Sequence, residues 1–206
     1  WRVDPDSYMN SNIQAFYHLL EAVKTRPNVK VVWASSSSVY GLNKKIPFSE
    51  KDRTDSPSNL YAATKKCMEV LSHAYHHIFN IPLIGLRFFT VYGPWGRPDM
   101  AYFRFTESIL KGETIQLNNF GKMKRDFTYI DDIVEGVLGA IHQPISYGIY
   151  NLGNATPVEL ERFVEILEEH IGKKAKINRV EMLKGEVVET YADISLSNKD
   201  LGYSPQ

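Results

Sequence analysis

The chain has 206 residues, enough for one large domain or two smaller lobes around a real core. Its 24 Lys and Arg balance 24 Asp and Glu, so no net charge advertises nucleic acid or an anionic membrane as partner. An apolar content of 43% with 13 Gly and 10 Pro describes a globular chain, and no apolar run approaches the roughly 18 residues that a membrane helix needs.

Asp4-Pro5-Asp6 reads as a helix start, and the helix is expected to run to about Lys24 with Met9, Ile13, Phe16, Leu20 and Val23 on one face. Pro27-Asn28 breaks it. Residues 29–34 form a continuous apolar strand of the kind buried on both faces of a parallel sheet, and Ser35 to Ser38 leave at its carboxyl end, where open α/β sheets keep their ligand crevice. A polar loop follows over 44–59. Ser56-Pro57-Ser58-Asn59 then signals a helix over 58–79, with Leu60, Ala63, Cys67, Leu71, Ala74, Tyr75 and Ile78 as its apolar stripe. On that stripe the single Cys67 reads as core rather than nucleophile, and a lone cysteine excludes an internal disulfide and suits a reducing, cytoplasmic setting. His73, His76 and His77 share this helix without the cysteines or carboxylates of a metal site, so no metal is expected.

A strand over 81–89 completes a right-handed parallel unit. Beyond Gly93 the pattern predicts a helix over 101–111, a short strand over 114–117, a hairpin-like Asn118 to Gly121 and a strand around 127–129. A helix over 131–142 follows, its Asp131 and Asp132 read as capping acids rather than a catalytic pair. Next come a strand over 147–152, a helix over 157–171 opened by Thr156 with Glu159 three residues on, and a strand near 175–180. The fold class is α/β: the later part of a doubly wound parallel sheet, with a smaller α/β lobe. The division is expected near residue 92, residues 93–206 forming mainly the lobe while interleaving with the sheet.

Chemistry concentrates in Ser35-Ser36-Ser37-Ser38-Val39-Tyr40-Gly41 and in Tyr61-Ala62-Ala63-Thr64-Lys65. Tyrosine is a poor base at neutral pH, its reference pKa being about 10. A cation one helical turn away favours the phenolate, and spacing of i and i+4 puts both side chains on one face. A serine hydroxyl can hold a substrate oxygen and relay its proton. Tyr40 and Lys44 repeat the spacing, but Gly41, Asn43 and Pro47 make that segment a turn. Taken alone, Tyr61 and Lys65 also suit an ordinary half-buried helix face, and a serine run suits a linker. The apolar residues Val31-Val32-Trp33 and Val39-Tyr40 on either side of the serines argue against the linker.

With these residues the chain resembles the extended short-chain dehydrogenase/reductases, and within them the UDP-glucuronate 4-epimerases. The resemblance is carried by Ser35 to Gly41, Tyr61 to Lys65, the run from Leu86 to Ala101 that includes Gly93-Pro94-Trp95-Gly96-Arg97-Pro98-Asp99-Met100, and Gly121 to Gly136. It implies an NAD(P)-binding Rossmann-like fold with NAD as cofactor and a UDP-sugar as substrate. It also implies a homodimer built through helices 6–24 and 58–79. Tyr61 would be the base, Lys65 its activator at the nicotinamide ribose, and Ser36 the bridge to the sugar O4. Asn12, Ser35 and Phe88 would join Tyr61 and Lys65 around the cofactor. Ser37, Ser38 and Thr90 would meet the sugar carboxylate, Arg97 the diphosphate or the carboxylate, and Arg125 the diphosphate. Glu186 would accept from the ribose, although Leu183-Lys184-Gly185-Glu186 departs from the family's usual polar residue followed by Pro-Gly-Asp. No GxxGxxG or GxGxxG occurs, so the chain is read as a fragment beginning after the glycine-rich turn and expected to be inactive alone. An anchor in the preceding part stays open.

The implied activity is 4-epimerisation of UDP-glucuronate through a transient 4-keto sugar. The nearest alternative is a UDP-glucuronate decarboxylase. A 4,6-dehydratase would carry Asp-Glu where Ser37-Ser38 stand. A redox-silent nucleotide-sugar module would lack the Tyr or Lys, and a pure dimerisation scaffold would need neither.

Overall fold

A computed structural model describes residues 4–26, 28–182 and 187–206. The chain opens with α1 (Pro5–Tyr8), capped by Asp4, whose carboxylate accepts from the Ser7 amide. It widens into π-helical geometry over Met9–Gln14 and closes as α2 (Ala15–Val23). The uniform helix expected from periodicity thus has a wide turn at its centre, where Asn12 lies.

Strand β1 (Val31–Ser36) pairs in parallel with β2 (Leu83–Phe88), which pairs in parallel with β6 (Tyr147–Leu152). The ladder runs through Ser36 opposite Phe88, so Ser35 and Ser36 belong to the strand rather than to the segment that leaves it. Helices on both faces make this sheet doubly wound. On one face α2 and α3 (Leu60–Phe79) bury Phe16, Leu20, Val23 and Met68 against Trp33 and Leu83. On the other, α5 (Ile130–His142) and α7 (Ser195–Leu201) bury Ile133, Ala140, Leu201 and neighbouring Tyr203 against Ile84, Leu86 and Leu152. Gly85 sits mid-sheet because there is no room for more: a Cβ there would lie 2.6 Å from Ile149 Cδ1 and 2.7 Å from Trp33 Cζ2.

A second core joins β4 (Thr114–Leu117), β8 (Lys176–Arg179), α4 (Ala101–Lys111) and α6 (Leu160–Ile171) around Ile115, Leu117 and Val164. Between the cores, β3 (Thr90–Tyr92) and β7 (Pro157–Glu159) flank β5 (Lys124–Tyr129).

Four expectations need correction. The stretch 157–159 is not helical, because Val158 pairs antiparallel with Arg125. Helix α6 therefore starts at Leu160 without a side-chain cap, and Thr156 turns to the Asn154 carbonyl. Asp131 and Asp132 lie in the first turn of α5 without capping it, and Asp132 accepts from the Gln206 amide instead. The apolar stripe of α3 faces partly outward: Cys67 is exposed, Ile78 is 65% exposed, and Ala62, Thr64, Met68, Glu69 and Ser72 form the buried side. A buried carboxylate with its own cation dictates that rotation. Strand β3 and helix α7 lie outside the elements that the sequence pattern predicts. Among the described residues no helix is long and apolar enough to cross a membrane, and no cluster of His, Cys, Asp and Glu could hold a metal.

Candidate active site

The site forms where β1 ends. Ser36 is extended, and its Oγ accepts from the Ser38 amide at 3.2 Å and donates to Ser38 Oγ at 3.2 Å. This turns the chain into a 3₁₀ turn over Ser37–Tyr40. Gly41 closes the turn at φ 53°, and a Cβ there would come within 2.0 Å of the Ser56 carbonyl oxygen. Opposite, Asn59 caps α3 by accepting from the Ala62 amide at 2.9 Å. The cap sets Tyr61 and Lys65 on the first two turns.

Lys65 Nζ donates to the Ala34 carbonyl at 2.9 Å, one residue before the serine run, and lies 6.0 Å from the Tyr61 ring centroid. Burial pushes the Lys65 pKa down, since no carboxylate partner compensates the loss of water. The Tyr8 ring meets that of Tyr61 edge-on at 5.9 Å. Asn12 reaches across from the π-helical turn: its Nδ2 donates to Thr64 Oγ1 at 2.9 Å, and Thr64 donates to the Tyr61 carbonyl at 2.9 Å. Widened turns of this kind are frequent at functional sites.

Two adjoining cavities extend from here. One, of about 200 Å³, is lined by Ser37, Ser38, Tyr40, Asn59, Thr90 and Arg125. Its neighbour, of about 220 Å³, shares Thr90 and Arg125 and continues past Met100, Phe105, Gln116 and Asn118. Together they are a trough with hydroxyls at one end, a guanidinium in the middle and a mixed apolar and amide-lined far end. Arg125 is oriented by donating to the Lys124 and Val188 carbonyls. Arg97 stands on an exposed loop beside Trp95 and Tyr102 and is paired with Asp99. That pairing raises its pKa, with smaller contributions from the Tyr61 and Tyr8 hydroxyls.

The structure thus puts Ser37, Ser38, Thr90 and Arg125 on one cavity, with Ser36 bonded to Ser38 at its edge. Asn12, Tyr61 and Lys65 form a separate group on the first turns of α3 and do not line that cavity. Phe88 ends β2 opposite Ser36 and packs into the first core. Ser35 turns inward, away from the site, and donates to Glu69 Oε1 at 2.8 Å. Glu186 lies outside the described residues.

Sequence reading missed the polar network beneath the site. Arg87 forks onto Glu69, Nε to Oε1 at 2.7 Å and Nη2 to Oε2 at 2.8 Å. Its Nη1 donates to the Tyr40 hydroxyl at 2.9 Å, which donates to Asn151 Oδ1 at 2.7 Å. Burial pushes the Tyr40 pKa up to about 12 despite the neighbouring guanidinium. The available signal was spacing: Glu69 lies four residues after Lys65 and eight after Tyr61.

The profile of the NAD dependent epimerase/dehydratase family matches residues 1–153. The chain belongs to that family. UDP-glucuronate 4-epimerase 4 of Arabidopsis thaliana is 52% identical over 220 residues, covering 98% of this chain and 50% of the plant protein. The uncharacterized protein MJ1055 of Methanocaldococcus jannaschii is also 52% identical, over 98% of this chain and 62% of that protein. Among solved structures, the UDP-glucuronic acid 4-epimerase of Bacillus cereus in complex with UDP-glucuronic acid and NAD superposes with a TM-score of 0.91. It shares 38% identity, covering 96% of this chain and 63% of the other. The UDP-N-acetylglucosamine 4-epimerase of Methanobrevibacter ruminantium gives 0.92 at 26% identity, covering 99% and 66%. The chain therefore spans between half and two thirds of the length of these relatives.

Proposed function

We propose that this chain is the catalytic and sugar-binding part of an NAD-dependent UDP-glucuronate 4-epimerase. The observation that carries the reading is the hydroxyl-lined trough of Ser37, Ser38, Thr90 and Arg125, whose wall includes Asn59, the cap of the helix that bears Tyr61 and Lys65. Three hydroxyls suit a sugar carboxylate, and a guanidinium farther along suits a diphosphate. The far end past Phe105, Gln116 and Asn118 offers apolar and amide surface to a pyrimidine nucleoside.

The residues at the carboxyl end of β1 fit a nicotinamide cofactor. Lys65 spends one of three N–H donors on Ala34 O, which leaves the ammonium two donors for ribose hydroxyls, and Asn12 stands alongside on the Thr64 anchor. Bound NAD would supply the acceptor and later the donor of a hydride at sugar C4. Tyr61 takes the proton of the sugar 4-OH, and Ser36 holds that oxygen and passes the proton on. Lys65 steadies the phenolate while its charge stays close. Ser37, Ser38 and Thr90 hold the carboxylate, and Arg97 adds positive charge near the reacting face. Holding C6 still guards a 4-keto sugar against losing CO₂. The outward face of α3, with Cys67, Val70 and Ile78, and Met9 and Tyr17 of the first helix, offers the apolar surface for a homodimer.

The test follows the anomeric proton by NMR in the full-length protein given UDP-glucuronate and no reductant. Formation of UDP-galacturonate without CO₂ is the expected result. A pentose product would mean decarboxylation and overturn the roles of Ser37, Ser38 and Thr90.

A further inference from the structure

We infer that the buried pair Glu69 and Arg87 is a positioning device that sets the register of the helix carrying Tyr61 and Lys65 against the strand carrying Ser36. The inference rests on the epimerase reading above. Both residues are almost fully buried, Glu69 4% and Arg87 3% exposed, and neither lines the trough. Replacing such a pair by well-packed apolar residues is often neutral or stabilising, so stability alone is a weak reason for building one. Its geometry supplies a better one.

Apolar contacts between a helix and a sheet are non-directional and tolerate small slides. A forked guanidinium–carboxylate contact does not. Glu69 stands two turns beyond Tyr61, roughly 12 Å along the axis. Its Oε1 takes Arg87 Nε from β2 and Ser35 Oγ from β1, while its Oε2 takes Arg87 Nη2. One turn back, Lys65 holds Ala34 O, the residue before Ser35. Helix α3 is thus pinned to adjacent residues of β1 at successive turns. The same guanidinium reaches Tyr40, which walls the trough and ends the turn bearing Ser37 and Ser38. One ion pair ties together the base, its cation, the serine hydroxyls and the sugar cavity. Misplacing reacting groups by about 1 Å through a distant change can cost on the order of 100-fold in rate.

The experiment uses the full-length protein with NAD bound. Arg87→Met alone leaves the buried Glu69 carboxylate with only the Ser35 hydroxyl and a 3.4 Å contact to Lys66, so the informative variants are Glu69→Gln and the double replacement Glu69→Met with Arg87→Met. Melting temperature, kcat and KM for UDP-glucuronate, and amide exchange over residues 61–66 are measured together. The double variant is expected to keep the parent's melting temperature within a few degrees. Its kcat should fall at least ~10-fold with KM within ~3-fold, and exchange over 61–66 should quicken. Glu69→Gln should lose less, since its carbonyl still accepts from Arg87. A folded double variant with parental kcat, or a kcat loss matched by an equal rise in KM, overturns the inference. If the double variant does not fold, parental kcat in Glu69→Gln overturns it and a selective kcat loss supports it. Absence of turnover in the parent would sink the epimerase reading alone. Exchange over 61–66 in the double variant, at parental melting temperature, then decides the inference: quickened supports it, unchanged overturns it.

Discussion

Replacing Asp126 by Asn strips one acceptor from a fully buried carboxylate that serves three backbone donors. Oδ1 accepts from Asn154 N at 2.7 Å, and Oδ2 accepts from Ala155 N at 3.2 Å and Ala192 N at 2.9 Å. These contacts tie the strand bearing Arg125 to the loops after β6 and before α7. An asparagine amide turns an NH₂ toward at least one of these N–H groups, whichever way it flips. A buried donor left without an acceptor costs about 1–3 kcal/mol, less whatever is regained by removing a desolvated charge. With a urea slope of about 2 kcal/mol/M, the unfolding midpoint should fall by roughly 1 M. The pH dependence has a definite sign. Burial raises the Asp126 pKa above its unfolded value of about 3.9, so the native state binds the proton more tightly. This contribution to stability is fully present below about pH 3.9, falls as pH rises toward the native pKa, and is flat beyond it. The gap between parent and variant should therefore narrow across that window. A midpoint equal to or above the parent's at neutral pH would refute the claim that the carboxylate is a structural acceptor.

Tyr61→Phe should lower kcat by roughly 10²–10⁴-fold while UDP-sugar binding by calorimetry stays near the parent's, because only the proton acceptor is removed. Tyr40 holds its proton to about pH 12 while the unfolded chain releases it near 10, so stability should decline between those values. Tyr40→Phe should make that decline shallower in urea titrations at pH 9–12, the rest coming from other raised tyrosines such as Tyr150, and an unchanged slope would discount the buried hydroxyl. Gly85→Ala forces a methyl against Trp33 and Ile149 and should cost about 1–3 kcal/mol of unfolding free energy. A neutral result would show that the sheet yields there.

What the sequence determined by itself was local. Tyr61 and Lys65 fall on one helix face because four residues make about one turn, and Asn59 caps that helix through its own neighbourhood. The apolar run of β1 reads as a buried strand without any partner being known, β2 and β6 read as strands from their own residues, and the serines following the first run stand at a sheet's carboxyl end. Tertiary structure decided what depends on distant partners. Arg87 and Asn151 fix Tyr40 from 47 and 111 residues away. Pairing with Arg125 made a strand of 157–159, and the Arg87 guanidinium turned Glu69 inward and Cys67 out. Burying a charge is costly unless its partner arrives from another element, and that arrival is a property of the fold.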